Sequence, residues 1–423
     1  MANNFAFRSR SFFVYLFIGL FSSGIALLFS DLAHLNPNFL LNQPLPPYSL
    51  PLLAALSILL LERLFANYKQ VGLIFVVKAY HFDEGQLHWG NLAYQFAVGL
   101  ILTWGGFAVG VVGPACYLTA VVASNLSHAA RLTQGQIRLS VACGTAAAVA
   151  ALFNAPLAGT VIAYELVMRR FNWRSIATIA ICAYTASVVS DLHGGSMLSI
   201  DLPDQSFTWA GLPQFALLGM LCGLFATLLV RAIRSIPTLK RSYAVAIAAG
   251  ITALAGVINP HWLGLEPITP NGLLSWELAL TEQHLWLLAR IVLTTVALAF
   301  ALPGGSLGPM LVIGGILGSI IGNVIPNAPN SMLVIVGMGA MFGAVFRTPW
   351  AAFLLITEQT LQVEIVLPAV VACLCASAVA KYLFRSPSLI EQQLLNAQIR
   401  LINSPVLVKE ENKTLNNEQI QQH

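Results

Sequence analysis

The sequence predicts an all-α protein that crosses a membrane many times and is built from two inverted-topology halves with broken helices. Composition gives the first observation: of 423 residues, 57% are hydrophobic and only 9% are charged. Soluble domains carry about a quarter charged residues, so this chain cannot cover a water-facing surface. Lipid is the solvent that suits it. Because hydrocarbon offers no water to free backbone groups, the spanning segments should be helices.

Long apolar stretches are the second observation. A helix needs about twenty apolar residues to cross a bilayer. Such stretches lie at 12–30, 48–66, 93–108, 139–166, 174–190, 208–232, 243–258, 284–302, 331–357 and 364–384. Several are longer than one span or contain Gly and Pro breaks, so ten or more helical elements are expected.

Charged residues lie mainly between these stretches. Arg8 and Arg10 precede the first stretch, and Lys381 and Arg385 follow the last. This distribution is typical of charges that set membrane topology, and it predicts that both termini are cytoplasmic. It does not resemble a nucleic-acid-binding patch. The six cysteines lie in apolar stretches without a CxxC pair, so neither a metal, a cofactor nor a disulfide framework is expected.

An internal repeat is the third observation. Gly144–Glu165 resembles Gly337–Glu358 at a constant offset of 193 residues, and upstream GVVGP (110–114) resembles GSLGP (305–309) at an offset of 195. Broken, Gly-rich hydrophobic segments at matching positions of two halves indicate a transport site at the repeat interface. Small residues also mark ordinary close helix packing, but two matched pairs favour the functional interpretation.

The two Gly-Pro segments favour an anion as the ligand. A helix that begins inside the membrane directs free N–H groups and its positive dipole end inward. Glycine lets the backbone approach a ligand, and proline is tolerated in the first helical turn. We therefore expect the backbone N–H groups of 111–113 and 306–308 to form a site for a small anion without Lys or Arg.

An enzymatic interpretation of the second segment is disfavoured. Residues 304–308 read GGSLG and satisfy the GxSxG pattern of a hydrolase nucleophile. That motif requires a preceding strand and nearby His and acidic partners. An apolar helical stretch precedes it here, so we expect no enzyme.

At these residues the chain resembles the CLC family of chloride channels and chloride/proton antiporters. The motifs are GVVGP (110–114), FNAPLAG (153–159), GGSLGP (304–309) and GMGAMFGAVFRTP (337–349), in the family's order, and the match runs from 89 to 394. The resemblance implies a CLC-like fold and a homodimer with one pathway per subunit for chloride or a similar small anion. It also implies a multi-pass protein of the cell (inner) membrane.

This resemblance sets the expected domain boundaries. A transmembrane domain should span 1–403, with repeat halves at roughly 48–200 and 201–390. A polar cytoplasmic tail should follow at 404–423.

Departures from the family pattern concern proton coupling. Coupled members carry a gating glutamate at the third position of the first Gly-Pro motif, where this chain has Val112. Their inner proton-transfer glutamate lies thirteen residues after the Phe of FNAP, where this chain has Leu166. Glu165 survives as a candidate proton-related residue. Its repeat mate Glu358 favours a structural role instead, although an intramembrane carboxylate is functional by default.

The family's side-chain anion ligands also differ. The early Ser-Pro motif should fall near 70–74, which reads QVGLI, and the late tyrosine of the inner mouth is replaced by Ile390. Leu307 stands where an aromatic residue is usual, while Ser306 adds a hydroxyl. The resemblance thus implies the following pathway residues: Val111, Val112, Gly113, Pro114, Ser306, Leu307, Gly308 and Ile390.

Three functions remain open. The leading one is passive chloride transport, because neither proton-relay position can ionise. The alternatives are a coupled antiporter that uses other carboxylates, Glu165 first, and a homologue that is fluoride-selective or does not transport.

Overall fold

Helices make up nearly all of the chain that the structure describes. The computed structural model describes residues 2–35, 46–65, 71–196, 200, 209–237, 239–264, 280–325 and 329–397. Sixteen α-helices lie within these ranges: α1 Ala2–Ala33, α2 Leu50–Leu64, α3 Leu73–His81, α4 Trp89–Trp104, α5 Val112–Ala129, α6 Gln134–Phe153, α7 Pro156–Ile162, α8 Trp173–His193, α9 Leu212–Ser235, α10 Arg241–Ile258, α11 Leu280–Ala299, α12 Leu307–Val324, α13 Asn330–Phe346, α14 Pro349–Thr360, α15 Val366–Ala378 and α16 Leu389–Asn396. A π-helical turn extends α7 over Ala163–Met168, and another extends α15 over Val379–Leu383.

Many of these helices can cross a bilayer. Eight helices of the described ranges are long and apolar enough to do so, and α7 with its π-helical extension and α13 are shorter apolar helices. The expected all-α polytopic fold is confirmed. The expected tail at 404–423 lies outside the described residues.

Two of the predicted apolar stretches are each divided into two helices. Stretch 139–166 breaks after Phe153 and stretch 331–357 after Phe346. At each break one residue adopts a left-handed backbone conformation, Asn154 with φ 49° and Arg347 with φ 62°. Each following helix begins with a proline, whose fixed φ and missing N–H suit that position.

Four helices lie outside the ten predicted stretches: α3 and α16, of nine and eight residues, and the two longer helices α5 and α12. Helix α5 contains Ser, Thr, Asn and His, which lower its mean hydropathy. Helix α12 contains five glycines, and glycine is among the weakest helix formers. Their tertiary packing overrides these local preferences, because both helices are largely buried.

The repeat is visible as matched helices in the same order along the two halves. The pairs are α4 with α11, α5 with α12, α6 with α13, α7 with α14, and α8 with α15. Helices α6 and α12 are the most buried of the spans: 83% and 67% of their apolar windows are inside the protein, against 50% or less for the other six. The second Gly-Pro segment begins α12, and the first begins α5, of whose 18 residues 14 are buried. Both segments therefore begin helices that lie in the interior of the protein.

Small residues bring these central helices close together. A Cβ added at Gly314 of α12 would lie 2.1 Å from the carbonyl oxygen of Gly337 in α13. In the first half, a Cβ at Gly144 of α6 would lie 2.6 Å from the carbonyl oxygen of Thr119 in α5. Close backbone contact at small residues is the usual way in which membrane helices pack.

Candidate anion site

The two Gly-Pro segments meet at the centre of the protein. The Gly110 N–H donates to the Gly305 carbonyl oxygen at 2.7 Å, and the Gly305 N–H donates to the Gly110 carbonyl oxygen at 2.8 Å. These two bonds form an isolated antiparallel bridge. The bridge joins equivalent positions of the two repeats, so it lies on the axis that relates them.

This close approach requires glycine on both sides. A Cβ at Gly305 would lie 2.3 Å from the Gly110 carbonyl oxygen and 2.7 Å from the Gly113 nitrogen. A Cβ at Gly113 would lie 2.5 Å from the Gly305 Cα. No other residue fits at these distances without moving the backbone.

Each segment then begins a helix. Helix α5 starts at Val112 after Val111, and α12 starts at Leu307 after Ser306. Pro114 and Pro309 lie within the first turns. Among the described residues, the N–H groups of 111–113 and 306–308 have no hydrogen-bond acceptor. Six N–H groups without an acceptor therefore lie at two adjacent helix N-termini, a position that favours small anions.

The side chains here are almost all apolar. Val112 is 2% exposed, Val111 4%, Leu307 1% and Ser306 6%. The Ser306 hydroxyl does not cap the helix that it precedes. Helix α11, and not a strand, leads into 304–308, so the structure gives no support to a hydrolase motif. The electrostatics of this site come from backbone dipoles and one hydroxyl.

A third helix N-terminus lies where the family's early Ser-Pro motif is expected from the sequence. Gly72, with φ 101°, precedes α3, which begins at Leu73. The segment Val71–Ile74 presents no hydroxyl, while Gln70 lies outside the described residues. Helix α16, which carries the fully buried Ile390, packs against α3. The structure thus brings together the helices that carry two of the departures from the family pattern.

Glu165 and Glu358 make reciprocal contacts. The Glu165 carboxylate, in the π-helical extension of α7, accepts hydrogen bonds from the backbone N–H groups of Ala351 at 2.8 Å and Trp350 at 3.4 Å. The Glu358 carboxylate, in α14, accepts from Ala158 at 2.7 Å and Leu157 at 2.9 Å. Each carboxylate therefore binds the N-terminus of the other helix, where a negative charge is stabilised. Both acids hold α7 and α14 together.

Leu166 lies beside this contact. Its side chain is 1% exposed and apolar, so the inner relay position offers no proton-binding group. Glu165 and Leu166 both lie in the π-helical extension of α7. The Gly110–Gly305 bridge lies elsewhere, just before α5 and α12.

Two polar residues that the sequence did not single out bind the turn that leads into the second Gly-Pro segment. The Gln95 side-chain amide donates to the Pro303 carbonyl oxygen at 2.8 Å. The Arg241 guanidinium donates to the carbonyl oxygens of Phe300 at 2.9 Å and Ala301 at 3.0 Å. The sequence did offer one indication for Gln95, since it is an isolated polar residue within the apolar stretch 93–108.

The sequence of this chain is similar to those of known chloride channels and exchangers. The sequence model of the family described as "Voltage gated chloride channel" matches residues 53–381. The H(+)/Cl(−) exchange transporter ClcA of Vibrio parahaemolyticus is 29% identical over 75% of this chain and 73% of its own length. ClcA of Klebsiella pneumoniae is 28% identical over 71% of this chain and 68% of its own length.

Solved structures show the same fold. A slow cyanobacterial Cl−/H+ antiporter superposes with a TM-score of 0.77 at 21% identity, covering 92% of this chain and 98% of that one. A CLC-type fluoride/proton antiporter superposes with a TM-score of 0.79 at 20% identity, covering 91% and 98%. The family model matches most of the chain, and the broken helices carry the motifs described above. The chain belongs to the voltage-gated chloride channel family, the CLC family.

Proposed function

We propose that this protein conducts chloride, or a similar small anion, passively across the membrane without coupling to protons. The observation that carries this proposal is the pair of adjacent N-termini of α5 and α12. Their first N–H groups have no acceptor among the described residues, and the side chains of Val111, Val112, Ser306 and Leu307 at these positions cannot ionise. Partial backbone charges bind an anion weakly enough to release it, as conduction requires.

Proton coupling needs a group in the pathway that gains and loses a proton. Val112 and Leu166 stand at the two positions where coupled relatives carry glutamate, and neither can ionise. Glu165 already accepts two backbone hydrogen bonds from α14, and Glu358 makes the equivalent contact. Because Glu165 and Glu358 make the same structural contact, we do not assign a proton relay to Glu165.

The expected assembly, membrane and orientation are those of a bacterial-type family member. We infer a homodimer with one pathway per subunit, placed in the cell membrane with both termini cytoplasmic. The Lys and Arg distribution supports this orientation.

A coupled antiporter is the second candidate. Two similar proteins are named H(+)/Cl(−) exchange transporters, and two structural neighbours are antiporters. This function would need a carboxylate outside the two usual positions, with Glu165 the first to test. The fluoride/proton antiporter among the neighbours keeps fluoride as an alternative anion.

Flux from liposomes distinguishes these functions. Purified protein is reconstituted into chloride-loaded liposomes, and chloride efflux and external pH are recorded together after valinomycin is added. Rapid efflux with no proton movement is the expected result. Proton uptake in a fixed ratio to chloride would instead establish coupling, and Glu165→Gln would then show whether that residue carries it.

The Gly305→Ala variant tests whether the flux uses the proposed site. Its added Cβ would lie 2.3 Å from the Gly110 carbonyl oxygen, so the bridge cannot form as it stands. Efflux should fall to the level of protein-free liposomes. If folded wild-type dimer passes neither chloride nor fluoride, the protein does not transport these anions and the proposal is wrong.

A further inference from the structure

The second Gly-Pro segment is reached through a strained turn. After α11 ends at Ala299, Ala301 adopts a left-handed conformation with φ 50°. Residues other than glycine rarely adopt this conformation, and the repeat mate of Ala301 is Gly106, with φ 71°. An alanine at this position therefore needs surroundings that hold the turn in place.

Arg241 supplies such a contact. It is the first residue of α10, and its Nη1 donates to the carbonyl oxygens of Phe300 at 2.9 Å and Ala301 at 3.0 Å. Its Nε donates to Glu62 Oε1 at 2.7 Å. The guanidinium thus joins the ends of α2, α10 and α11 at one point.

Glu62 is the buried member of this pair. Its side chain is 10% exposed, against 34% for Arg241. A buried carboxylate is unfavourable unless it is paired and hydrogen-bonded. Only 9% of the residues in this chain are charged, and two of them form an ion pair beside the second Gly-Pro segment.

The first repeat holds the equivalent turn differently. There the Gly106 carbonyl oxygen accepts from the backbone N–H of Gly264 at 2.8 Å. A glycine turn and an uncharged backbone donor are therefore sufficient in one half. The other half uses alanine, a guanidinium and a carboxylate, so the ion pair is not a general requirement of the fold.

We propose that Glu62 and Arg241 are positioning residues for the anion site. Arg241 fixes the turn at Ala301, four residues before the Gly305 bridge, and thereby sets the N-terminus of α12. Glu62 orients the guanidinium and offsets its charge. Lysine cannot replace this arginine, because a single ammonium lacks the planar fork that reaches three acceptors at once. This inference rests on the proposed function, in which the N-terminus of α12 binds the transported anion.

The test compares four variants with the wild type. Arg241→Lys keeps the charge, Arg241→Gln removes it, and Glu62→Gln keeps an acceptor for Arg241 but loses the ion pair. Lys240→Gln is the matched control, because it removes the same charge from the exposed neighbouring residue. Hydrogen exchange of the peptide covering 300–308 and the chloride-to-nitrate permeability ratio are measured for each.

We expect the two Arg241 variants to exchange the protected amides of 300–308 about tenfold faster than the wild type. Their permeability ratio should change by about twofold or more, because selectivity depends on how the donors are placed. Glu62→Gln should shift both quantities in the same direction, and Lys240→Gln should shift neither.

The inference is overturned if folded Arg241→Gln or Glu62→Gln keeps wild-type exchange and selectivity. If the Arg241 variants do not fold, Glu62→Gln decides alone, since it retains the hydrogen-bond acceptor. A wild type that carries no anion would refute the proposed function, while the exchange measurement would still test the positioning of this segment.

Discussion

Val112 is the residue on which the proposed lack of coupling depends. It begins α5, is 2% exposed, and lies two residues from the bridge between the Gly-Pro segments. Valine neither competes with an anion for the free N–H groups nor carries a proton. Replacing it with a carboxylate should therefore give the site a charge that it now lacks.

Val112→Glu should make anion flux pH-dependent. An ordinary glutamate is ionised at about pH 7.5 and about two-thirds protonated at about pH 4, so flux should be low at the higher pH and should recover in large part at the lower. We expect about a tenfold loss at the higher pH, measured as chloride efflux from liposomes. Val112→Gln is the control of similar size, and its flux should not depend on pH. Equal flux by both variants at every pH would place residue 112 outside the pathway.

Gly113→Ala tests the contact between the two segments. The added Cβ would lie 2.5 Å from the Gly305 Cα, so the backbone must move. Overpacking of this kind costs about 1–3 kcal/mol, and we expect a lower Tm together with lost flux. Gly250→Ala in α10 is the control, because its added Cβ would have no atom within 4 Å beyond the adjacent backbone of its own helix. Wild-type flux from Gly113→Ala would show that the close approach is unnecessary.

At the scale of elements, α7 and α14 are held by exchanged carboxylates. Each helix follows a proline break, and each N-terminus receives the carboxylate of the other helix. Since the contact occurs twice at the same repeat offset, its geometry follows from the fold's symmetry. The carboxylates supply the helix-capping acceptors that neither Ala155 nor Thr348 provides.

Removing either charge should lower stability by an amount that follows the geometry. Glu358→Gln should cost about 1–2 kcal/mol, because both of its hydrogen bonds are short and charge-assisted. Glu165→Gln should cost less, since one of its bonds is 3.4 Å long. Thermal unfolding in detergent measures both, and chloride flux from the folded variants should match the wild type. A larger loss for Glu165→Gln would contradict this ranking.

The sequence predicted these elements unevenly. The breaks at FNAP and FRTP could be placed because proline marks a helix start and the two copies agree. Helix α5 could not be recognised as a span from apolarity, whereas α12, with a mean hydropathy of 1.8, was apolar enough and was missed. The starting points of both helices were expected from the Gly-Pro motifs. The reciprocal partners of Glu165 and Glu358 depend on helices nearly 200 residues apart, and local sequence patterns contain no such information.

For the whole molecule, the sequence predicted the fold class and the family but not the anchors of the site. The repeat offset placed 111–113 opposite 306–308, and the structure joins them through Gly110 and Gly305. The anchoring of the second segment by Arg241 and Glu62 was missed, because their pairing crosses three helices.

Assembly is a separate prediction at this scale. The resemblance implies a homodimer, and several large apolar side chains of α7, α8, α14 and α15 are exposed, among them Leu157 and Trp350. Mass measurement in mild detergent, corrected for bound detergent, should give twice the 45.4 kDa of one chain. A monomeric mass that persists across protein concentrations would contradict the expected dimer.

Reversal potential in a planar bilayer tests the central claim most directly. With a tenfold chloride gradient, a passive anion pathway should reverse at the chloride equilibrium potential, about 59 mV in magnitude. Adding a pH gradient should leave that value unchanged, because Val112 and Leu166 cannot exchange protons. A reversal potential of smaller magnitude that moves with the pH gradient would establish proton coupling and contradict this account.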